Sequence, residues 1–395
     1  MEKSQSPSLL ILELDRALES SLAAGHPWIY RDRLPPRFSA ESGRWVRVRA
    51  GRFVGYALWD ARSPIALRIF SERGVPDEHW VGERVRAAWE LREPLRAQGI
   101  TAYRWIYGES DGLPGLVVDL YAGFAVVVLY AESLDAILPW VVSGLRATTN
   151  LEGIVRRRLD APEAERLELV WGRWPPSELV VEEHGVKLPV DLRASQKTGL
   201  YLDQRDNRRR IADFAAGRRV LNLFSYTGGF SVHAALRGAA HVTSVDGAAP
   251  AIAAAIETFR LNGVDPEQHT FVVADVFEWL ERAARQNERF DLVISDPPSF
   301  ARSKEQLSAA KKAYLRLMTL GLRVTRPGGF YVGASCTAQL DLEAFRELLA
   351  EAARRACVRL QIVHEAGQPL DHPVMAGHRE GRYLKLCIGR VLKLV

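Results

Sequence analysis

The sequence is poor in cysteine, with three residues among 395: Cys336, Cys357 and Cys387. Their spacing fits no metal site, and a disulfide framework would be unusual in a chain of this length. Long apolar runs are also missing. The first apolar run, Leu9–Leu12, is far too short to cross a bilayer, and no basic region precedes it as in a signal peptide. We therefore expect a cytoplasmic protein with reduced thiols, without a bound metal and without a membrane partner.

Length and composition favour a globular protein of two or three domains, with 47% hydrophobic and 26% charged residues. The formal net charge of +5 permits a polyanionic partner without requiring one. Basic clusters occur at residues 44–52, at 156–158, and at Arg205 together with 208–210. They fit either an extended track for phosphate groups or the solvated faces of helices and loops, and the sequence leaves both interpretations open.

The first half of the chain reads as two small domains. Short alternating apolar runs, broken by glycine or charge, predict a small β domain over residues 9–72, and a mixed α+β segment follows. We predict domains over residues 1–75, 76–190 and 191–395. The predicted elements of the α+β segment are helices over 78–95 and 133–148, strands over 101–107 and 116–130, and a hairpin over 179–192.

Beyond about residue 217, apolar strands alternate with longer helices. This alternation predicts an α/β domain of Rossmann-like type, with a mainly parallel sheet covered by helices on both faces. Right-handed crossovers then place the carboxyl ends of the strands along one edge, where ligands bind. The predicted strands are 220–224, 241–246, 270–275, 290–296 and 330–336, and the predicted helices are 229–237, 248–262, 276–287, 304–324 and 341–356.

The first of these strands runs into a glycine-containing turn and then a helix. Paired glycines at such a turn let the backbone approach a ligand and aim the amides of the helix start at it. The spacing is neither the dinucleotide pattern G-x-G-x-x-G nor that of a phosphate loop. The residues of this turn that we predict to bind a cofactor are Asn222, Phe224, Ser225, Tyr226, Thr227, Gly228 and Gly229.

Two acidic residues at the next strand ends favour a nucleoside as the ligand. Asp246 can accept hydrogen bonds from both ribose hydroxyls, and Asp275 can accept one from an adenine amino group. Either carboxylate could instead be a helix N-cap, Asp275 above all. Because the two acids follow the glycine turn in consecutive β–α units, we prefer the nucleoside site.

The fourth strand ends in Asp296, followed by two prolines and Phe300. The prolines fix the backbone, so the aspartate is held at the sheet edge, and Phe300 can stack on a planar base. Cys336 ends the fifth strand at the same edge. A thiolate there can add to carbon 6 of a cytosine and so activate carbon 5 toward methylation, with Asp296 stabilising the ring.

A structural role is the alternative for each cysteine, since lone cysteines in strands are commonly small core residues. We assign Cys357 and Cys387 to structure and Cys336 to catalysis, because only Cys336 follows a strand at the predicted ligand-binding edge.

These motifs resemble those of the bacterial 23S ribosomal RNA large subunit methyltransferase I family, which forms 5-methylcytosine. The resemblance spans nearly the whole chain. In the second half the similar segments are Gln196–Arg205, Asn222–Ser231, Asp296–Phe300 and Ser335–Cys336; elsewhere they are His26–Tyr30, Asp111–Leu116 and Asp371–Pro373. One departure is Thr337, where the family usually carries serine.

The resemblance implies an N-terminal PUA domain that binds RNA, a central α+β domain and S-adenosylmethionine as the cofactor. It also implies that the segment before the first core strand folds over the methionine end of the cofactor. The implied cofactor contacts are Gln196, Tyr201, Asp203 and Asp296, and the implied target contacts are Lys197, Arg205, Pro297, Pro298 and Phe300. The base that removes the proton from carbon 5 is not identified, and a homodimer is left open.

The favoured hypothesis is a methyltransferase that forms 5-methylcytosine in RNA, by resemblance 23S ribosomal RNA, through a covalent adduct of Cys336 with carbon 6. Two alternatives stay open. Methyl transfer to an exocyclic amine uses similar Asp-Pro-Pro motifs and needs no cysteine, and an RNA-binding ribosome-assembly factor could keep a vestigial cofactor pocket. A nicotinamide oxidoreductase is disfavoured by the glycine spacing.

Overall fold

The computed structural model describes residues 9–36, 38–159, 161–162, 165–193, 199–301, 303 and 305–394. The chain divides into two compact units. The first comprises the described residues of Met1–Leu179, Val190–Leu200 and Leu370–Gly381, and the second those of Val180–Pro189, Tyr201–Pro369 and Arg382–Val395. In the described ranges, no helix combines the length and apolarity needed to span a bilayer. The division into three domains stays a prediction.

The N-terminal part of the first unit contains the predicted small β domain. Its elements are β1 Leu10–Glu13, α1 Glu19–Ala23, β2 Trp28–Tyr30, β3 Trp45–Ala50, β4 Phe53–Trp59 and β5 Ile65–Ser71. They form a five-stranded sheet in the order β1-β3-β4-β5-β2, in which only the β1–β3 pair is parallel. Along β3, Val46 and Val48 are fully buried and alternate with exposed arginines, as expected for a sheet with one solvated face.

The rest of the first unit is the predicted α+β segment. Its elements are α2 Glu78–Leu91, α3 Glu93–Ala97, β6 Ala102–Tyr107, β7 Leu116–Tyr121, β8 Phe124–Leu129, α4 Leu138–Thr148, β9 Gly153–Arg157 and β10 Leu167–Gly172. The strands form one sheet in the order β10-β9-β8-β7-β6. The single strand predicted over 116–130 is wrong: Ala122 takes a φ of 53° and turns the chain, so Tyr121 pairs with Phe124 in an antiparallel hairpin.

Buried charges hold the segment Leu370–Gly381 within the first unit. The guanidinium of Arg92 is fully buried and donates to both carboxylate oxygens of Asp111 at 2.7 Å. It also donates to the carbonyl of Asp371 at 3.0 Å, and the Asp371 carboxylate accepts from the backbone N–H of Arg104 at 2.9 Å. Because each buried charge has close partners, this cluster fixes where the late segment lies in the unit.

The second unit contains the predicted α/β domain. It includes the hairpin of β11 Leu179–Glu183 and β12 Val186–Val190 except for the end residues Leu179 and Val190, which belong to the first unit. Its other elements are α5 Arg205–Ala212, β13 Arg219–Leu223, α6 Gly229–Leu236, β14 His241–Asp246, α7 Ala249–Leu261, β15 Thr270–Val273, α8 Val276–Arg285, β16 Phe290–Ser295, α9 Leu307–Val324, β17 Thr325–Ser335, α10 Leu342–Arg355, β18 Val358–Ala366 and β19 Lys385–Lys393. The five predicted strands and five predicted helices of the alternation are present, and α5, β18 and β19 are additions to them.

The sheet of the second unit is mainly parallel, as predicted. Its order is β15-β14-β13-β16-β17-β19-β18; the first five strands are parallel and β19 runs antiparallel to both of its neighbours. The chain order reverses between β13 and β16. In doubly wound sheets the carboxyl ends beside such a reversal form the crevice that binds ligands.

A buried network of charges joins the hairpin to two helices of the second unit. The Arg208 guanidinium donates to both oxygens of Glu183, at 2.5 and 2.6 Å, and His233 Nε2 lies 3.0 Å from the same carboxylate. Burial alone would raise the pKa of Glu183, but the charge of Arg208 and the hydrogen bonds from His233 and Arg208 hold it well below its usual range. Arg208 also donates to the carbonyl of Tyr201 at 3.0 Å.

Burial also decides where two residues of the third basic cluster lie. Arg205 is 0% exposed, with its Nε 3.1 Å from the Asp206 carboxylate, and Arg208 is 5% exposed. Neither guanidinium lies on the surface, so they do not belong to an exposed phosphate track. The contact of Arg205 with the target stays a prediction.

Replacing Glu183 by Gln should lower the free energy of unfolding by about 3 kcal/mol near neutral pH, because it leaves the buried charge of Arg208 uncompensated. Since the folded-state pKa of Glu183 is depressed, its stabilisation is complete above the unfolded pKa of about 4.3 and is lost as the pH falls further. Urea unfolding at several pH values should therefore show that the difference in the free energy of unfolding between the wild type and Glu183→Gln becomes smaller in acid. Glu182→Gln, at an exposed position of the same strand, is the control, and a Glu183→Gln protein as stable as the wild type would contradict the account.

Candidate active site

The loop after β13 has an unusual backbone at the point where the strand order reverses. Phe224 and Tyr226 have positive φ angles of 56° and 49°, and Gly228 follows at 78°. A β-carbon at Gly228 would lie 2.8 Å from the β-carbon of Ala255, so only glycine fits. Non-glycine residues in this region cost about 1–3 kcal/mol each and cluster at functional sites.

Asp246, at the end of β14, holds this loop in place. Its Oδ2 accepts from the backbone N–H of Tyr226 at 2.9 Å, and its Oδ1 accepts from the N–H of Ala248 at 2.9 Å. The N–H of Ser225 donates to the carbonyl of Val245 at 3.1 Å. A half-buried carboxylate retains further acceptor positions, so Asp246 can stabilise the loop and still accept from a ligand.

Two buried polar atoms beside the loop have no partner in the described residues, and this supports a ligand there. Asn222 is 0% exposed; its Nδ2 donates to Ser231 Oγ at 2.9 Å, whereas its Oδ1 is unpaired. Ser225 Oγ is likewise buried and unpaired. Buried polar groups are nearly always satisfied, so a bound polar molecule that supplies these bonds fits the loop.

Two other predicted cofactor residues, Asp275 and Thr227, form hydrogen bonds within the protein. Asp275 is exposed and caps α8, its Oδ1 accepting from the N–H groups of Phe277 and Glu278 at 2.9 and 3.0 Å. The carbonyl of Thr227 accepts from Thr258 Oγ1 at 3.0 Å. Asp275 thus has the capping role that the sequence left open, and its contact with a nucleoside stays a prediction.

Cys336 and Asp296 follow neighbouring strands, β17 and β16, at the carboxyl edge. Cys336 is half-buried, whereas both of its neighbours in sequence are 0% exposed. Tyr201 lies close to both groups: burial first, then the charges of Tyr226, Asp296, Cys336 and Asp203, raise the pKa of Tyr201 far above its usual range. Tyr201 is therefore near enough to feel the charges of both groups, and Cys336 is not sealed in the core.

A chain of hydroxyl groups fixes the backbone on both sides of Cys336. Ser335 Oγ donates to Tyr314 Oη at 3.0 Å, and Tyr314 Oη lies 2.8 Å from Thr337 Oγ1. Thr337 Oγ1 lies 3.0 Å from Ser299 Oγ, which donates to the carbonyl of Ala301 at 2.8 Å. One direction of donation along the chain satisfies every hydroxyl. The threonine that departs from the resembled family thus supplies the hydroxyl needed at its position.

The segment after β16 lies against this chain. Pro297 is buried and Pro298 is exposed. The ring of Phe300 is half-buried, with its centroid 4.7 Å from that of Tyr314, and it packs against the core of the second unit. Its stacking on a base stays a prediction.

Two residues from opposite ends of the second unit meet beside the site. Tyr383 Oη donates to Asp203 Oδ2 at 2.5 Å, and Asp203 is 7% exposed. The ring of Tyr201 meets that of Tyr226 edge-on, with centroids 5.3 Å apart. Gln196 and Lys197, the other predicted residues of this segment, lie outside the described residues.

Among the described residues, one group in the first unit has the composition of a metal site: His26, His378 and Glu380. The backbone N–H of Trp28 donates to His26 Nδ1 at 3.3 Å, which places the ring proton of neutral His26 on Nε2. That nitrogen lies 3.6 Å from Glu380 and is oriented to donate rather than to ligate. The absence of a metal stays a prediction.

Comparison with known proteins identifies the class. The family model described as S-adenosylmethionine-dependent methyltransferase matches residues 161–379, and a model of a PUA-like domain matches residues 12–72. A crystal structure of a methyltransferase complexed with SAH has a TM-score of 0.86 at 26% identity, covering 96% of this chain and all of that one. A SAM-dependent methyltransferase from Streptococcus mutans has a TM-score of 0.85 at 25% identity, with the same coverage. The fold is that of an S-adenosylmethionine-dependent methyltransferase.

Sequence relatives narrow the family. A protein of Deinococcus radiodurans named ribosomal RNA large subunit methyltransferase is 38% identical over 395 residues, 95% of this chain and 96% of its own. One of Aeromonas salmonicida, named ribosomal RNA large subunit methyltransferase I, is 35% identical over 388 residues, 95% of this chain and 98% of its own. The chain belongs to this family of methyltransferases. The predicted resemblance, fold class and cofactor are confirmed.

The hydroxyl chain around Cys336 predicts a difference between two substitutions of Thr337. Thr337→Val removes a buried partner of Tyr314 and should lower the free energy of unfolding by about 1–3 kcal/mol. Thr337→Ser keeps the hydroxyl and should cost about 1 kcal/mol or less, the value of one methyl group. Urea unfolding of the wild type and the two variants measures their free energies of unfolding. A valine variant more stable than the serine variant would show that the hydroxyl chain does not stabilise the protein.

Proposed function

We propose that this methyltransferase acts on ribosomal RNA of the large subunit and forms 5-methylcytosine through a covalent bond between Cys336 Sγ and carbon 6 of the target base. The observation that carries the proposal is the position of Cys336. Cys336 is half-buried at the carboxyl edge of the sheet and directly follows β17, the neighbour of the strand that Asp296 follows, while both flanking residues are fully buried and hydrogen-bonded. A cysteine with only a structural role would not require a half-buried position between two immobilised residues at the ligand-binding edge.

An RNA substrate agrees with the names of the relatives, which are ribosomal RNA methyltransferases. It also agrees with the PUA-like domain, where Arg47 and Arg49 project from the solvated face of β3. Exposed arginines of this kind bind phosphate groups with an affinity that falls as salt rises. Ribosomal RNA of the large subunit as the target, the cytoplasmic location and a homodimer stay predictions.

The chain's own residues can carry out the covalent steps. The target cytosine leaves its stack, at a cost of a few kcal/mol, and enters the crevice beside Pro297, Pro298 and Phe300. The Cys336 thiolate forms a bond to carbon 6, and the electron density displaced to carbon 5 makes that carbon nucleophilic. Asp296 accepts a hydrogen bond from the amino group of the ring. The cofactor, when bound, supplies an electrophilic methyl group on a positively charged sulfur.

Completion of the reaction restores the thiolate. Once carbon 5 carries the methyl group, loss of its proton returns the electron pair of the C–H bond to the ring. The same electrons break the bond between Cys336 and carbon 6. The net result is one methyl group gained by the base and one proton released. The residue that accepts this proton stays unidentified.

The substitution Cys336→Ala tests the proposal. The variant should bind S-adenosylmethionine as the wild type does, measured by calorimetry, and should lose methyl transfer to unmodified large-subunit ribosomal RNA, measured with a labelled methyl group. Cys357→Ala, which replaces an exposed cysteine, should retain activity. A fully active Cys336→Ala protein would exclude the adduct, and a methylated amino group in the product would favour transfer to an exocyclic amine.

The loop geometry predicts an effect of Asp246 on cofactor affinity. Asp246→Ala removes the acceptor that holds Tyr226 and a predicted acceptor for the ribose, so the Kd for S-adenosylmethionine should rise about 10- to 100-fold, the value of one or two charged hydrogen bonds. Calorimetry measures it. Asp265→Ala, which removes an exposed cap at a distant turn, is the control. Equal affinities in the three proteins would remove Asp246 from the cofactor site.

A further inference from the structure

A buried lysine lies beside Cys336. Lys385 begins β19 directly opposite Ser335 of β17, and it is only 6% exposed. Its Nζ donates to the carbonyl of Thr337 and to the carbonyl of Tyr383, both at 2.6 Å. Since Ser335 and Thr337 are the two neighbours of Cys336, the ammonium group is held against the segment that carries the sulfur.

The charge of Lys385 is only partly compensated. Among the described residues it forms no ion pair, and carbonyl dipoles compensate a buried charge only in part. The ionisable groups that act on it are Cys336 and Asp341, and Asp341 is an exposed residue whose carboxylate caps α10. Burial lowers the pKa of Lys385 to about 8, while the negative charges of Cys336 and Asp341 act in the opposite direction.

We propose that Lys385 is a positioning residue that holds a positive charge beside Cys336 and so stabilises the attacking thiolate. The inference rests on the proposed covalent mechanism and adds the group that prepares its nucleophile. The interaction between two charges is mutual, so a thiolate that stabilises the lysine cation is itself stabilised by it to the same extent. The thiol proton passes to solvent before the base binds, and Lys385 keeps its own proton at pH values below its pKa of about 8.

The two carbonyl contacts give the lysine its fixed place. Thr337 is already held by Tyr314 and Ser299, and the hydroxyl of Tyr383 is held by Asp203. The ammonium therefore lies between two immobilised backbone groups, and two of its three N–H donors are committed to them. A charge fixed in this way stabilises the thiolate without reorganisation at the moment of attack.

The test is the pH dependence of Cys336 alkylation by iodoacetamide, in the full-length protein with Cys357→Ser as background. Cys387 does not interfere, because it is 1% exposed and its pKa is raised to about 12, mainly by burial. The variants are Lys385→Met, which removes charge and donors, Lys385→Gln, which keeps neutral donors, and Lys385→Arg, which keeps the charge. Lys393→Met, at an exposed position of the same strand, is the matched control.

Lys385→Met and Lys385→Gln should both shift the alkylation profile upward by about one pH unit, which corresponds to about a tenfold slower reaction near neutral pH. Lys385→Arg should lie closer to the wild type, and Lys393→Met should not differ from it. A profile unchanged in both neutral variants would overturn the inference. A wild-type alkylation profile in Lys385→Gln would also overturn it, because hydrogen bonding without a positive charge would then suffice to stabilise the thiolate.

Two further measurements keep the outcome interpretable. Binding of S-adenosylmethionine by calorimetry shows that each variant is folded, and Lys385→Arg keeps the inference testable if the neutral variants do not fold. Alkylation needs neither RNA nor cofactor, so its result is separate from that of the Cys336→Ala activity assay. A methylated covalent adduct that accumulates in Lys385→Met would make Lys385 the base for the carbon 5 proton, and would contradict the role assigned to it.

Discussion

Parallel pairing of the central strands is the constraint on which the site depends. In the register of the sheet Leu223 pairs with Ser295, and Ser295 pairs with Gly333, so three strands end at nearly the same level. The glycine turn, Asp296 and Cys336 then follow from three separate parts of the sequence. No local interaction could bring these groups together, and one shift in register would separate them.

The surroundings of Cys336 combine rigidity with access. Six hydrogen bonds fix the segment around Cys336. Four form the hydroxyl chain, which ends at the carbonyl of Ala301, and two run from Lys385 to the carbonyls of Thr337 and Tyr383. Each such bond contributes only about 1 kcal/mol net, but an unpaired member would cost more than that. An incomplete network would therefore be less stable, and Cys336 is half-buried between two residues that are 0% exposed. In the proposed mechanism, the same arrangement holds the positive charge of Lys385 beside Cys336, where it stabilises the thiolate.

Sequence reasoning predicted what local patterns determine. Alternating apolar segments gave the strands and helices around the site, and the residue types at strand ends gave the glycine turn, Asp246, Asp296 and Cys336. It left the basic cluster at Arg205 and Arg208 open between a phosphate track and a solvated helix face, and it could not foresee that Arg208 pairs with Glu183, on a hairpin 25 residues earlier. Tyr314 gave no usable signal, since its role depends on β17 lying beside α9. The one signal for Lys385 was a lysine at the start of an apolar strand, and its role depends on β19 lying beside β17.

The most direct measurement of the central claim is trapping of the adduct. Large-subunit ribosomal RNA transcribed with 5-fluorocytidine cannot lose a proton from carbon 5 of the target base, so after methyl transfer the bond between sulfur and carbon 6 should persist. The account predicts a stable complex of protein and RNA that forms only with S-adenosylmethionine present, with the nucleotide attached to the peptide containing Cys336 by mass spectrometry. Turnover without any trapped complex, or attachment to another residue, would contradict it.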